Sequence, residues 1–189
     1  MGHSRADKRQ HHEQIVGVAA TRFREDGIDR VGVAELMHEA GLTHGGFYRH
    51  FETRDELVAE AVERALHDGG QAIAAVAASP HDPLAAVIDA YLSTTHRDDL
   101  GTSCAVTTLA ADVARADPRA RAAYTSQVGV YIEMLIGLVP PGHADRRATA
   151  ITALSTLVGA VSMARAVDDE ALSREILASA ASKLKSQLR

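Results

Sequence analysis

The sequence predicts an all-α chain of about nine helices: a three-helix N-terminal unit of helix-turn-helix type, then a larger helical body for ligand binding and dimerisation. Three observations predict it. Apolar residues recur at the helical period along most of the 189 residues. No alternating run of Val, Ile and Thr is bounded by turn residues, so strands are not expected. Gly, Pro, Asp and Ser fall between the periodic stretches, where helices start and stop.

The elements follow in order. A first helix is expected over residues 8–26, with Ile15, Val16, Ala19, Ala20 and Phe23 on one stripe and Gly27 as its C-terminal stop. A short second helix covers 33–40, with Ala34, Met37 and Ala40 inward. Gly41-Leu42 makes a tight turn, and Thr43 is placed as the N-cap of a third helix over 44–50. Thr53-Arg54-Asp55-Glu56 reads as a capping box that opens a long fourth helix towards Ala78. Gly69-Gly70 is expected to kink or break it.

Ser79-Pro80-His81-Asp82-Pro83 is a clear break before a fifth helix carrying Leu84, Val87, Ile88, Tyr91 and Leu92. Residues 98–103 read as a loop, and 104–116 as a sixth helix. Asp117-Pro118 starts a seventh, which Pro140-Pro141-Gly142 stops. An eighth covers 144–167, and Asp168-Asp169 caps a ninth reaching 188. The expected domains are 1–54 and 55–189.

Composition narrows the function classes. Hydrophobic residues make up 46%, enough for a real core. Aromatics are 4% and Trp is absent, which argues against a stacking platform for single-stranded nucleic acid. No unbroken apolar run approaches the ~20 residues of a membrane span, and the polar start carries no apolar signal segment, so a cytoplasmic protein without membrane contact is expected. Cys104 is the single cysteine, which excludes an intrachain disulfide and a cysteine-built zinc site. No cofactor or metal is expected. Residues 1–54 carry eight Lys and Arg against eight Asp and Glu, so the net charge of −5 falls on residues 55–189. His3, His11, His12, His38, His44 and His50 also lie in this front part. It is therefore the less acidic part and gains charge readily near a polyanion.

The stretch from Val33 to Phe51 carries the chemistry. Helix, Gly-containing turn and capped second helix within about twenty residues form a helix-turn-helix. Gly45 and Gly46 sit in the first turn of the third helix, where each costs ~1 kcal/mol relative to Ala. Two readings of the pair stand. Without side chains, the helix N-terminus can press against a partner's backbone or base edges and offer free N–H groups to a phosphate. Alternatively the glycines are loop and the helix begins at Phe47. Thr43, His44, Tyr48, Arg49 and His50 crowd the stretch with phosphate donors and base-edge readers, while Phe47 and Phe51 anchor it from inside.

The run from Ile15 to Val62 resembles the TetR family of bacterial transcriptional regulators. Ala40-Gly41-Leu42-Thr43-His44-Gly45-Gly46-Phe47-Tyr48-Arg49-His50-Phe51 resembles that family's recognition segment, and Thr53-Arg54-Asp55-Glu56-Leu57 its fourth-helix opening. Val31-Gly32-Val33 departs from it, because the family often places a Thr or Ser cap there. The resemblance implies that Thr43, Tyr48, His50 and Arg54 hold phosphates, and that His44, Gly45 and Gly46 face the major-groove floor. Arg5, Lys8 and Arg9 are either a basic arm that adds phosphate contacts or a frayed end.

One such unit reads too few base pairs, so a homodimer on a palindromic double-stranded operator is expected. The last two helices would supply its interface through Ile151, Leu154, Leu157, Val158 and Val161, small Ser155, Gly159, Ala160 and Ser162, and a stripe from Leu172 to Leu188. The alternative is that these residues are ordinary core. Helices five to eight would enclose a pocket for an unidentified small-molecule effector, with Tyr91, His96, Leu109, Tyr124, Tyr131, Met134 and Met163 as lining candidates. Gly101-Thr102-Ser103-Cys104-Ala105 resembles a Gly-Cys motif of one TetR branch, some of whose members sense electrophiles or oxidants. That places Cys104 in the pocket too; the other reading is a small buried hydrophobe. The resulting expectation is a ligand-released repressor. An enzyme is the competing class, with His96 and Asp112 as imaginable base and acid. No HExxH, GxSxG, P-loop or GxGxxG motif accompanies them. A helical interaction module without DNA affinity is the third.

Overall fold

In the computed structural model, the described residues are 5–188; His3, counted above, lies outside them. The described residues are helices and connections without strands. Helix α1 runs Arg5–Asp26, α2 Val33–Glu39, α3 Arg54–Ala77, α4 Pro83–Tyr91, α5 Thr94–Asp98, α6 Ala105–Thr108, α7 Ala110–Val113, α8 Pro118–Leu138, α9 Arg146–Ala166 and α10 Glu170–Gln187. Two 3-10 turns, Ile28–Arg30 and His44–Arg49, complete the N-terminal unit.

The stripe expected on α1 is the buried one: Ile15, Val16, Ala19, Ala20 and Phe23 are all within the core. Gly27 stops the helix at φ +87°, a conformation that costs glycine nothing. Gly41, at φ +70°, turns the chain after α2 in the same way. Ala40 is 2% exposed, which lets the two arms of the motif approach. Arg22 forks across the unit. It donates to Asp26 on its own helix at 2.9 Å and to Glu35 and Glu39 of α2 at 2.6 and 2.7 Å. The capping box forms as well: the Thr53 hydroxyl accepts from Glu56 N–H at 3.2 Å, and the Glu56 carboxylate accepts from Glu52 N–H at 2.7 Å. Helix α3 packs against α1 on one side and α8 on the other, so it joins the N-terminal unit to the body.

Several expectations change. The third helix is a 3-10 turn, and Thr43, though extended at the cap position, makes no side-chain cap bond; its carbonyl accepts from Gly46 N–H at 2.9 Å instead. The chain is helical from Arg5, so Arg5, Lys8 and Arg9 lie on α1 rather than on a frayed arm. Gly69-Gly70 does not break α3. Its glycines serve packing: a Cβ at Gly69 would lie 3.5 Å from Cys104 Cα, and one at Gly70 would stand 2.8 Å from the Gln127 amide. The expected loop 98–103 is preceded by the short α5. The expected helix 104–116 is two short helices that meet at Leu109, whose fully buried side chain plugs the corner.

Helices α8, α9 and α10 pack in sequence order and close the body. Asp117, Asp145 and Asp169 cap them through their side chains, each accepting backbone N–H groups of the first turn. Helix α9 is long and apolar enough to span a membrane by length and composition. It qualifies without an unbroken apolar run, because Ser, Thr and Gly separate its larger residues and are only weakly polar. Its buried face, Ala153, Leu154, Leu157, Ala160 and Val161, belongs to the core of this one chain.

Candidate functional site

The His44–Arg49 turn is pinned from below and open above. Phe47 and Phe51 are 2% and 1% exposed and stack with ring centroids 5.4 Å apart. The His12 ring stacks on Phe51 at 4.5 Å, and its Nε2 pairs with the Glu60 carboxylate at 2.7 Å, which fixes α1, the turn and α3 together. Thr43, His44, Gly45 and Tyr48 face outward. Tyr48 is 74% exposed, which is unusual for an aromatic side chain packed edge-on to a core phenylalanine. A Cβ added at Gly45 would meet nothing, and one at Gly46 would reach only ordinary contact with Met37 and Thr43. Neither glycine is therefore required by packing within the chain.

Lys8 and His11 of α1 join Thr43, Gly46, Arg49 and His50 around a recess of about 340 Å³ beside this turn. Its basic lining suits a phosphate group. Arg49 is among the phosphate donors expected on this stretch and Lys8 belongs to the expected basic arm; His11 was not singled out, and the His11-His12 doublet, one helical turn before Ile15, was its available signal. His50 is half-buried, with its ring 6.3 Å from that of His11 and 6.2 Å from that of His12. Its Nδ1 is buried without a hydrogen-bond partner, and burial holds its pKa below the ordinary value. Arg54, expected to touch phosphate, turns inward: one guanidinium nitrogen donates to the carbonyls of Ile28 at 2.5 Å and Val31 at 3.4 Å. It thereby anchors the turn that precedes α2.

Of the effector candidates, Tyr91, His96, Tyr124 and Tyr131 gather around Cys104, and only Tyr91, His96 and Cys104 line a cleft there; Leu109, Met134 and Met163 do not. Tyr91, Tyr131 and Leu109 are buried, and Cys104 is 6% exposed. The Cys104 sulfur lies 3.5 Å from Tyr131 Oη, and Tyr91 Oη lies 2.7 Å from Thr107 Oγ1. Tyr124 Oη donates to the Val106 carbonyl at 2.8 Å. Burial, with the nearby Cys104, raises the pKa of all three tyrosines, so they remain neutral phenols. Met134 is partly buried against the same core. Met163 departs from the expectation: it is 55% exposed on the outer face of α9, one turn beyond Gly159.

His96 organises this region. Its Nδ1 lies 2.6 Å from the Tyr91 carbonyl and donates to it. Its Nε2 accepts from Cys104 N–H at 3.1 Å and from the Ser103 hydroxyl at 3.0 Å. Burial lowers its pKa, which the Tyr91 carbonyl opposes and the Arg165 charge reinforces. Arg165 of α9 donates to the carbonyls of His96 and Arg97 at 2.8 and 2.9 Å, and to the Ser103 hydroxyl. His96 is thus committed to structure, and Asp112 lies beside Gly27 and Arg115 instead. The imagined acid–base pair is not assembled.

A cleft of about 140 Å³ opens between α3, α4 and the loop before α6, lined by Ile73, Val76, Tyr91, His96 and Cys104 with exposed Ala72 at its mouth. Among the described residues, no group of three His, Cys, Asp or Glu side chains is arranged to hold a metal.

Comparisons with known proteins agree with this geometry. Residues 15–61 match the family described as bacterial regulatory proteins, tetR family. The HTH-type transcriptional repressor KstR2 of Rhodococcus jostii (strain RHA1) is 25% identical over 133 residues, 70% of this chain and 65% of that protein. An HTH-type transcriptional regulator of Staphylococcus aureus (strain USA300) is 27% identical over 62 residues, 33% of this chain and 34% of the relative. The chain therefore spans less than two thirds of the length of either relative. Among solved structures, a TetR transcriptional regulator from Chloroflexus aurantiacus J-10-FL superposes with a TM-score of 0.82 at 23% identity, covering 97% of this chain and 98% of that one. The reduced form of E. coli NemR superposes with a TM-score of 0.79 at 19% identity, covering 94% and 96%. At those identities the likeness concerns the fold. Matched residues and fold converge: residues 15–61 carry the tetR-family match, and the chain as a whole has the fold of a solved TetR transcriptional regulator.

Proposed function

We propose that the chain is a homodimeric repressor that holds a palindromic operator in the cytoplasm and leaves it when a small-molecule or electrophilic effector binds the body. Its relatives are transcription regulators rather than enzymes, and the Rhodococcus protein is named a repressor. The observation that carries the reading is Tyr48, held outward on a turn whose neighbouring Gly45 leaves the approach open. Tyr48, Thr43 and the basic recess would hold phosphates, and His44, Gly45 and Gly46 would face the groove floor.

The dimer would form on the outer faces of α9 and α10. Ile151, Ser155, Gly159, Ser162 and Met163 run down one side of α9, and Leu172 lies on α10. Ile151, Met163 and Leu172 are 41%, 55% and 43% exposed, apolar side chains that a partner would cover. The more deeply set Leu154, Leu157, Leu177, Leu184 and Leu188 are spent on the chain's own core.

A gel-shift titration on the DNA upstream of the chain's own gene tests the reading. A shifted band with two protomers per site, weakening steeply as salt rises, is expected. Absence of any salt-sensitive shift would overturn it in favour of a helical interaction module.

A further inference from the structure

We propose that the cleft beside Cys104 takes a compact, uncharged, apolar effector of about single-ring size. The assignment rests on the effector-released reading above and adds the chemical class of the ligand.

Size comes first. The space is about 140 Å³, close to the ~150 Å³ that accepts a benzene molecule in an apolar protein cavity. A long acyl chain or a nucleotide does not fit it. Charge comes next. None of the residues around the cleft is Lys, Arg, Asp or Glu, so an ionised ligand would enter without a counter-charge. Hydrogen-bonding capacity of the buried polar side chains is also used up. Tyr91 Oη is bonded to Thr107, and the Cys104 thiol to Tyr131. Both nitrogens of His96 are taken, by the Tyr91 carbonyl and by Ser103 and Cys104. What remains for a ligand is the apolar wall of Ala72, Ile73 and Val76 and the Tyr91 ring, with the exposed Thr102 as the polar residue at the mouth. The mouth is at the surface, where Ala72 and Thr102 are exposed, so entry requires no unfolding.

Benzene and benzoate are the probes, titrated into the full chain while the Ile73 methyl resonance is followed. Benzene is expected to shift it saturably, and benzoate, with the same ring and one charge, to bind at least tenfold more weakly. Ala72→Leu, a change at an exposed helix position, is expected to close the mouth and weaken benzene binding at least tenfold with an unchanged melting temperature. No saturable shift with benzene, benzoate binding as well as benzene, or undiminished binding to the folded A72L variant overturns the assignment, whatever the protein does on DNA. The same titration with operator present reads the other claim: an operator that stays bound while the Ile73 shift is complete sinks the release step and not the ligand class.

Discussion

Gly101 abuts Glu25: a Cβ built on Gly101 would stand 2.5 Å from the Glu25 carboxylate and 3.1 Å from the Thr21 methyl group. The loop that carries Cys104 therefore rests directly on α1, the helix that also bears the recess next to the recognition turn. A shift of this loop would press on the DNA-facing unit without an intermediary.

Gly101→Ala should cost about 0.5–1.5 kcal/mol, because the Glu25 carboxylate can swing aside while Thr21 must yield slightly. In a double-mutant cycle by urea unfolding, Glu25→Ala should recover part of that cost, with a coupling of about 0.5 kcal/mol or more. Strictly additive effects would mean that the two residues do not press on one another.

Tyr48→Ala should weaken operator binding tenfold or more, about 1.4 kcal/mol, and leave the melting temperature within ~2 °C, since the ring is 74% exposed. Gly45→Leu should do the same by bulk, because a side chain there meets no atom of the chain itself. Fluorescence anisotropy on labelled operator reads both. Wild-type affinity in either variant removes that residue from the DNA face.

Ile151→Lys combined with Met163→Lys should weaken the dimer at least a hundredfold, about 2.7 kcal/mol, by placing two charges in the proposed interface. Both positions are exposed in the single chain, so each protomer should stay folded. Light scattering coupled to size exclusion would show monomers. A dimer that survives unchanged moves the interface elsewhere.

Stability should fall on acidification, with His96 contributing. Its folded pKa lies below the ordinary ~6.5 because burial disfavours the charged ring. The unfolded chain therefore binds the proton first, so His96's contribution is complete above about pH 6.5 and lost as pH falls through the folded value. Chemical unfolding from pH 7.5 to about 5 should show a steeper loss for the wild type than for His96→Gln. Parallel curves would assign the acid sensitivity to other groups, His50 foremost, since its pKa is lowered in the same direction.

What the residues disclosed in advance were local features. The α1 stripe, the Gly27 and Gly41 turns, the Thr53–Glu56 box and the Pro118 start each depend on a few neighbours in sequence, and each is found. Features set by distant partners were not legible. Gly69-Gly70 reads as a helix break until Cys104 and Gln127 are seen against it. Leu109 divides an expected helix because a corner of the core needs it there. Arg54 matches a phosphate-binding position in pattern, but the Ile28–Arg30 turn that occupies it has no periodic signature. On α9, Leu154, Leu157 and Val161 interleave with Ile151, Ser155, Gly159 and Met163; pattern alone gave two apolar faces without saying which one the chain keeps for itself.

The Arg22 fork has a mechanical effect. By clasping Glu35 and Glu39 it welds the first arm of the motif to a rod of 22 residues, about 33 Å long at the helical rise. Glu25, where the loop leans, and Lys8, beside the reading head, sit near opposite tips of that rod. In the proposed dimer, a small tilt imposed at one tip would reach the other as a sideways sweep, and two reading heads swung this way would fall out of step with the repeat of the double helix.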